Sequence, residues 1–297
     1  MLYLSRFMPL PMYATAADRA PQSEAPESTY KTHRRFDRAA RLFSEPGLHA
    51  LMRARVVVFG MGGVGSFAAE ALARSGVGHL SLVDFDDVCV TNTNRQLHAM
   101  RGNIGKPKAI IMAERLRSIS PTATIEPVLQ FYKEGAEDEL LGGRIDYVVD
   151  AIDSLAAKVH LIATCRERGI PIVSSMGAAA RMDPTRIRTA DIANTEICPL
   201  ARDVRRLLRV HHGIEVKRNH PIGVMAVFSD ENPIAPASVS YDEGQGFVCV
   251  CPNKDNGVYT CERRTRIDGS ASFVTGTFGM VAASVATRGI IERALAR

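Results

Sequence analysis

The sequence has no uninterrupted apolar stretch of the roughly 18 residues or more that a helix needs to span a bilayer. Its nearest approach, Phe273 to Ile291, is broken by Gly276, Gly279, Arg288 and Gly289, so no stable membrane insertion is expected. Paired C-x-x-C motifs are missing too: Cys249 and Cys251 are spaced C-x-C with only Cys261 following, short of the four ligands of a structural zinc site. The six cysteines, spread from Cys89 to Cys261 in 297 residues, suit reduced thiols in the cytoplasm better than a secreted disulfide framework. Tryptophan is absent and aromatics make up 6%, too few among the arginines to argue a platform for stacking bases. A strong charge excess is also lacking. The 37 Lys and Arg against 32 Asp and Glu leave +5, a mild preference for a polyanionic partner. No internal repeat is present.

Hydrophobic residues at 46% and charged ones at 23% are the balance of a globular chain with ample core. The first thirty residues stand apart. Arg6, Pro9 and Pro11 interrupt the apolar start, which therefore falls short of a signal peptide. Residues 15–30 are rich in Ala, Pro, Ser and Glu, so residues 1–30 are expected to be a flexible tail.

From Arg55 the chain alternates strand-like and helix-like segments, the pattern of a parallel sheet covered on both faces. Strands are predicted at Val56–Phe59, His79–Val83, Thr124–Leu129, Ile145–Val149 and Ile170–Ser174. Helices are predicted at Gly65–Ser75, Lys106–Ile119, Gly135–Leu141 and Ser154–Arg168, the last capped by Ser154. After Gly177 the pattern loosens into strands at Ile187–Ile192, Val224–Phe228 and Phe247–Val250, a basic helix at Leu200–Val210 and a closing helix from about Thr277. The expected fold class is α/β, a Rossmann-like, mostly parallel sheet with helices on both faces, extended by a C-terminal α+β elaboration. Residues 31–180 would form the nucleotide-binding part and 181–297 the elaboration on the same sheet.

Gly60-Met61-Gly62-Gly63-Val64-Gly65 follows the first strand and opens a helix. Glycines there allow a tight turn and let backbone N–H groups approach a phosphate at a helix N-terminus. Asp84, at the end of the next strand, is placed to accept hydrogen bonds from a ribose. The competing reading is a glycine turn that only packs helix on strand. Asp86, the run Thr91-Asn92-Thr93-Asn94-Arg95-Gln96, Gly105-Lys106-Pro107-Lys108 and Asp150-Ala151-Ile152-Asp153 come next. Cations beside a phosphate loop suit a triphosphate, and a carboxylate past a strand end can hold Mg2+. Each is ordinary alone; Asp153 could equally help cap the helix at Ser154.

GMGGVG, VDFDDV, TNTNRQ, GKPK and DAID in this order resemble the ATP-dependent activating enzymes of the ubiquitin-activating (ThiF/MoeB-like) superfamily, over roughly Arg35 to Arg297. Such enzymes adenylate a carboxylate with ATP and Mg2+. The resemblance implies that Gly60, Gly62, Gly63 and Gly65 line the phosphates and Asp84, with Asp86 nearby, the ribose. It implies that Asn92, Arg95 and Lys108 surround the triphosphate and Asp153 goes with Mg2+. Arg35-Phe36, Arg41-Leu42, the string from Asp87 to Gln96, Asp183-Pro184-Thr185 and Thr277-Phe278-Gly279 are similar to one branch, the tRNA threonylcarbamoyladenosine dehydratases. That branch implies ATP-dependent cyclisation of the modified adenosine, a tRNA partner, a homodimer and room for a sulfur-relay protein. Arg41 matches an arginine supplied ahead of the sheet, often to the neighbouring subunit's ATP; Arg38 competes for that role.

Arg202, Arg205, Arg206 and Arg209 at helical spacing, Lys217 and Arg218 after them, and Arg263, Arg264 and Arg266 are clusters that could meet tRNA phosphates or simply be solvated. Cys249, Cys251 and Cys261 read as reduced thiols on strands or as a thiolate that takes an activated acyl group. Cys198 and the pair His211-His212 read as structural or solvated. Two other functions stay open on sequence: activation of the C-terminal carboxylate of a small sulfur-carrier protein, and a nucleotide-binding scaffold without turnover.

Overall fold

The computed structural model describes residues 32–237, 239 and 268–296. The first thirty residues, the predicted strand Phe247–Val250, Cys249, Cys251, Cys261, Arg263, Arg264 and Arg266 lie outside the described residues. The chain divides into a first unit ending at Arg35 and a second starting at Phe36. The described part of the first is the short helix α1 (Thr32–Arg35), and all other elements belong to the second.

Two helices that the alternation did not predict, α2 (Asp37–Phe43) and α3 (Glu45–Arg53), precede the sheet. Ser44 starts α3, its Oγ accepting the Gly47 N–H at 3.3 Å, and the helix buries Leu48 and Leu51 completely. Among the described residues seven strands follow: β1 (Arg55–Phe59), β2 (His79–Val83), β3 (Thr124–Val128), β4 (Tyr147–Asp150), β5 (Ile172–Ser175), β6 (Ile187–Asp191) and β7 (Met225–Ser229). They form one sheet in the order β3-β2-β1-β4-β5-β7-β6. All neighbours are parallel except the antiparallel pair β6 and β7. This is the α/β, Rossmann-like architecture that the sequence predicts.

The central strands β1 and β4 are buried and mostly apolar because both faces are covered, while the edge strands β3 and β6 carry exposed polar residues. Val56 and Val58 of β1 enter one core, with α3, α4 (Gly65–Arg74), α5 (Lys108–Ile119) and α9 (Ser272–Leu295). Val57 and Phe59 enter the other, with α7 (Leu155–Glu167), α8 (Pro199–His212) and the short α6 (Glu137–Leu140). Chain order reverses between β1 and β4, so their carboxyl ends open a crevice where such sheets bind ligands.

Most boundaries move by one or two residues, and two of the shifts have a direct physical reason. Helix α5 starts at Lys108 rather than Lys106 because Pro107 holds an extended cap conformation and disfavours helical backbone in the residue before it. The closing helix starts at Ser272, well before Thr277, and runs unbroken to Leu295. Its glycines are contact points, not interruptions. A Cβ at Gly279 would collide with the Val64 carbonyl, and one at Gly276 would lie 3.0 Å from the Phe67 ring. The cost of about 1 kcal/mol for each glycine in a helix is offset by the close approach of α9 to α4. By length and composition α9 is apolar enough to cross a membrane, correcting the expectation from its broken sequence, but 61% of its apolar window is buried inside the protein.

Candidate functional site

The crevice is built around the loop Gly60 to Gly65. Gly60 takes φ +87°, and its N–H donates to the Val83 carbonyl at 2.8 Å. A Cβ on Gly60 would sit 2.7 Å from the Ala151 carbonyl oxygen, and one on Gly65 would collide with the carbonyl of Gly60. Those two glycines are demanded by packing between β1 and β4. Gly62 is different: the nearest atom to a Cβ there is Gln96 Nε2 at 3.9 Å, which leaves its backbone open to a ligand. A Cβ on Gly63 would lie 3.0 Å from Thr275 Oγ1 and 3.2 Å from Arg95 Cγ, so α9 closes over the loop.

Asp84, 8% exposed, ties the loop to β2. Its Oδ2 accepts the Met61 N–H at 2.5 Å and its Oδ1 the Asp86 N–H at 2.8 Å. Burial is the largest influence on its carboxyl and raises the pKa, with Lys108 and these N–H donors opposing. Backbone bonds between Val88 and residues 105 and 106 fold the next segment back and bring Lys108 to the start of α5. Lys108 Nζ lies 2.8 Å from Asp86 Oδ2. Burial works against its charge, but Asp84, Asp86 and Asp153 outweigh it and hold its pKa above the ordinary lysine value. The structure thus gathers Asp84, Asp86, Lys108 and Asp153 in one electrostatic group.

The segment Val90–Asn92 is a 3-10 turn, and buried Asn92 caps it by accepting the Cys89 N–H at 3.0 Å. Asn92 therefore shapes the segment that presents Arg95. Arg95 Nη1 donates to the Thr91 carbonyl and to Asn94 Oδ1, both at 2.9 Å, while Asn94 Nδ2 donates to the Ser270 carbonyl at 2.9 Å. Two neighbours carry unmet polar capacity: buried Gln96 has no partner for Oε1, and fully buried His98 has none for either ring nitrogen.

Burial, helped by the Lys108 and Arg115 charges, pulls the His98 pKa from 6.5 to about 4. The folded imidazole stays neutral while the unfolded chain takes up a proton below about pH 6.5. Stability should therefore fall as pH drops from about 6.5 towards 4, by at most roughly 3 kcal/mol from this group. Urea midpoints at pH 7 and pH 5 should show a smaller drop for His98→Phe than for the parent; an equal drop would acquit His98.

At the end of β4, Asp150 and Lys158 are both fully buried, with Lys158 Nζ 2.6 Å from Asp150 Oδ2. Lys158 also donates to Ser174 Oγ at 3.3 Å and to the Ser175 carbonyl at 2.9 Å. Ser174 Oγ donates to Asp150 Oδ2 at 2.5 Å. The other Asp150 oxygen accepts the Ile152 N–H at 3.0 Å, which fixes the turn that presents exposed Asp153. Ser154 occupies the N-cap position of α7.

Arg41 is not part of the group in a single chain. It is 77% exposed, and its ion pair is with Asp37 at 3.0 Å on the same helix; Arg38 is likewise exposed. Cys198 is buried, and among the described residues no group of three or more His, Cys, Asp or Glu could form a metal cage. Mg2+ does not need one, since one or two carboxylates plus substrate phosphates usually hold it. Open backbone at Gly62, a charged Lys108, partly exposed Arg95 and an exposed carboxylate at Asp153 fit a magnesium nucleotide on those terms.

The ThiF family profile matches residues 36–293. The chain belongs to the ThiF family. This ThiF-family chain is 42% identical over 265 residues to a tRNA threonylcarbamoyladenosine dehydratase of Escherichia coli, covering 88% of this chain and 94% of that one. It is 46% identical over 199 residues to the Bacillus subtilis dehydratase, covering 67% and 76%. The crystal structure of the E. coli dehydratase in complex with ATP superposes with a TM-score of 0.77 at 39% identity, covering 89% of this chain and 97% of that one. Within this ThiF-family fold, sequence reasoning did not single out Gln96, His98, Lys158, Ser174 or Thr275. The signal for Lys158 was present: a lone charge within the apolar run Ala156 to Ala163 apart from His160.

Proposed function

We propose that this chain uses ATP to cyclise threonylcarbamoyladenosine in the anticodon loop of tRNA, with net loss of one water. One observation carries the reading: the likeness to the E. coli dehydratase runs over 94% of that protein, beyond the nucleotide loop into the half where activating enzymes diverge.

A carboxylate is a poor acyl donor because its oxygen leaves badly. In the first step the carboxylate of the modified nucleoside attacks the α-phosphate of ATP, and pyrophosphate departs. In the second the carbamoyl group of the same side chain attacks the activated carbonyl, giving up a proton, and AMP leaves with the former carboxylate oxygen. Intramolecular placement can be worth effective molarities of about 10⁵ to 10⁸ M, so no enzyme nucleophile is required. The open backbone at Gly62, with Gly60, Gly63 and Gly65 shaping the turn, would take the phosphates, and Asp84 with Asp86 the ribose side. Arg95 and Lys108 would stabilise charge on the transferring phosphate, and Asn92 would keep Arg95 in place. Asp153 would hold Mg2+, which when bound neutralises phosphate charge.

Arg41, exposed beside the 78% exposed Leu42, would reach a neighbouring subunit's ATP in a homodimer by exchanging its exposed pair with Asp37 for a phosphate. A cytoplasmic, ligase-type enzyme accords with a tRNA substrate and with the unbridged thiols of Cys165 and Cys198. The decisive experiment digests tRNA after incubation with the protein and ATP and weighs the nucleosides. Threonylcarbamoyladenosine should lose the mass of one water and pyrophosphate should appear with it. Pyrophosphate release provoked instead by a small sulfur-carrier protein, or by neither substrate, rejects the proposal.

A further inference from the structure

We propose that the outer face of α8, presented by Arg202, Arg206 and Arg209, is the surface on which the phosphodiester backbone of tRNA rests. This inference builds on the function proposed above and adds where the substrate lies. The sequence shows six cations between Arg202 and Arg218 without saying which face a partner. The structure sorts them. Arg205 turns inward, its Nη1 donating to Thr195 Oγ1, to the Thr195 carbonyl at 3.2 Å and to the Ile192 carbonyl at 3.4 Å. Lys217 pairs with Glu215 at 3.0 Å and Arg218 with Glu196 at 2.5 Å. Arg205 is occupied within the fold, whereas Lys217 and Arg218 are exposed but each has a carboxylate partner.

Arg202, Arg206 and Arg209 are all exposed. They stand at i, i+4 and i+7, which places them on one side of a helix, along about 10 Å of its length at 1.5 Å per residue. The carboxylate nearest this row, Asp203, lies 3.8 Å from Arg206, a weak, solvent-screened pair. On the opposite side Ala201, Val204 and Leu208 are fully buried. The helix therefore separates an apolar anchor from a row of guanidinium groups.

Its position links that row to the crevice. The first turn of α8 packs on the segment leaving the carboxyl end of β5: a Cβ at Gly177 would lie 3.6 Å from Cys198 Sγ and 3.8 Å from Leu200 Cβ. The arginines thus begin near the end of the sheet where the glycine loop opens. Guanidinium forks match phosphate oxygens two at a time. A protein partner would instead call for an aromatic or aliphatic anchor at the centre of the patch, whereas the large exposed aliphatic residue of α8, Val210, stands past Arg209 at the end of the row. RNA backbone is the better match.

The test is a full-length triple variant, Arg202→Gln, Arg206→Gln and Arg209→Gln; glutamine preserves helix propensity, and the side chains replaced are exposed. Binding is measured against salt with tRNA carrying threonylcarbamoyladenosine and with an unmodified transcript, with a poly-glutamate peptide as acidic-protein probe. Each lost phosphate contact should flatten the plot of log affinity against log salt by about 0.7 to 0.9. The variant should bind both RNAs at least about tenfold more weakly, by the same factor, with a slope smaller by about 2, and bind ATP as the parent does. Parental affinity and slope for tRNA would overturn the assignment of α8, as would a loss confined to poly-glutamate. Neither result touches the proposed reaction, which fails separately if the parent protein leaves the modified nucleoside uncyclised.

Discussion

Replacing Lys158 with methionine is expected to cost the protein about 3 to 5 kcal/mol of stability, the usual penalty for stranding one member of a buried ion pair. Asp150 and Lys158 are both fully buried, so water cannot solvate the carboxylate left behind. Ser174 still donates to Asp150, but a hydroxyl cannot replace an ammonium. Adding Asp150→Asn removes the stranded charge and should restore more than half of the loss; the cycle of single and double variants reads out the coupling directly. A double variant no more stable than Lys158→Met alone, by urea unfolding, would show that something other than the charge sets the penalty. Lys158→Met should also depress turnover, because Asp150 holds the Ile152 N–H and with it the turn that displays Asp153.

The second large effect is expected at Lys108. Lys108→Gln should lower tRNA-dependent pyrophosphate release by about 10² to 10³, the range seen when one group that stabilises developing charge is removed. The drop should fall on kcat more than on KM for ATP if the ammonium serves the transferring phosphate rather than ground-state binding. Lys108 also balances Asp84 and Asp86, so its loss threatens folding. Arg95→Ala separates the two effects, because Arg95 is partly exposed and can be removed without opening a cavity. Arg95→Ala should show a comparable loss with an unchanged unfolding midpoint. Turnover retained in both variants would remove the cationic group from the mechanism.

Much of the fold was legible because strands buried on both faces leave unmistakable runs. Val56 to Phe59 feeds two cores at once, and no polar residue interrupts it. The glycine loop was readable because the steric need at Gly60 and Gly65 and the open space at Gly62 fall on the same residue type. The helices ahead of the sheet were not readable: α2 and α3 have seven and nine residues, too short for a helical period to stand out. Gly276 and Gly279 misled in the opposite way. Local propensity counts them as defects, whereas their value lies in contact with Val64 and Phe67, distant in sequence. The Lys158 network was hidden too, because its partners Ser174 and Ser175 come from strand β5 while Lys158 stands on α7. Among the arginines, charge alone could not distinguish Arg205, satisfied by carbonyls, from its outward-facing neighbours.

The contact of α9 with the glycine loop bears on the order in which the protein matures. A polypeptide leaving the ribosome presents Gly60 to Gly65 long before Thr275 and Gly279 arrive to wall it in. Strands β1 to β5 can pair while the crevice still lacks that wall, and contacts between segments so far apart form late. The wall that Thr275 and Gly279 set against the loop is therefore the last part of the crevice to be synthesised.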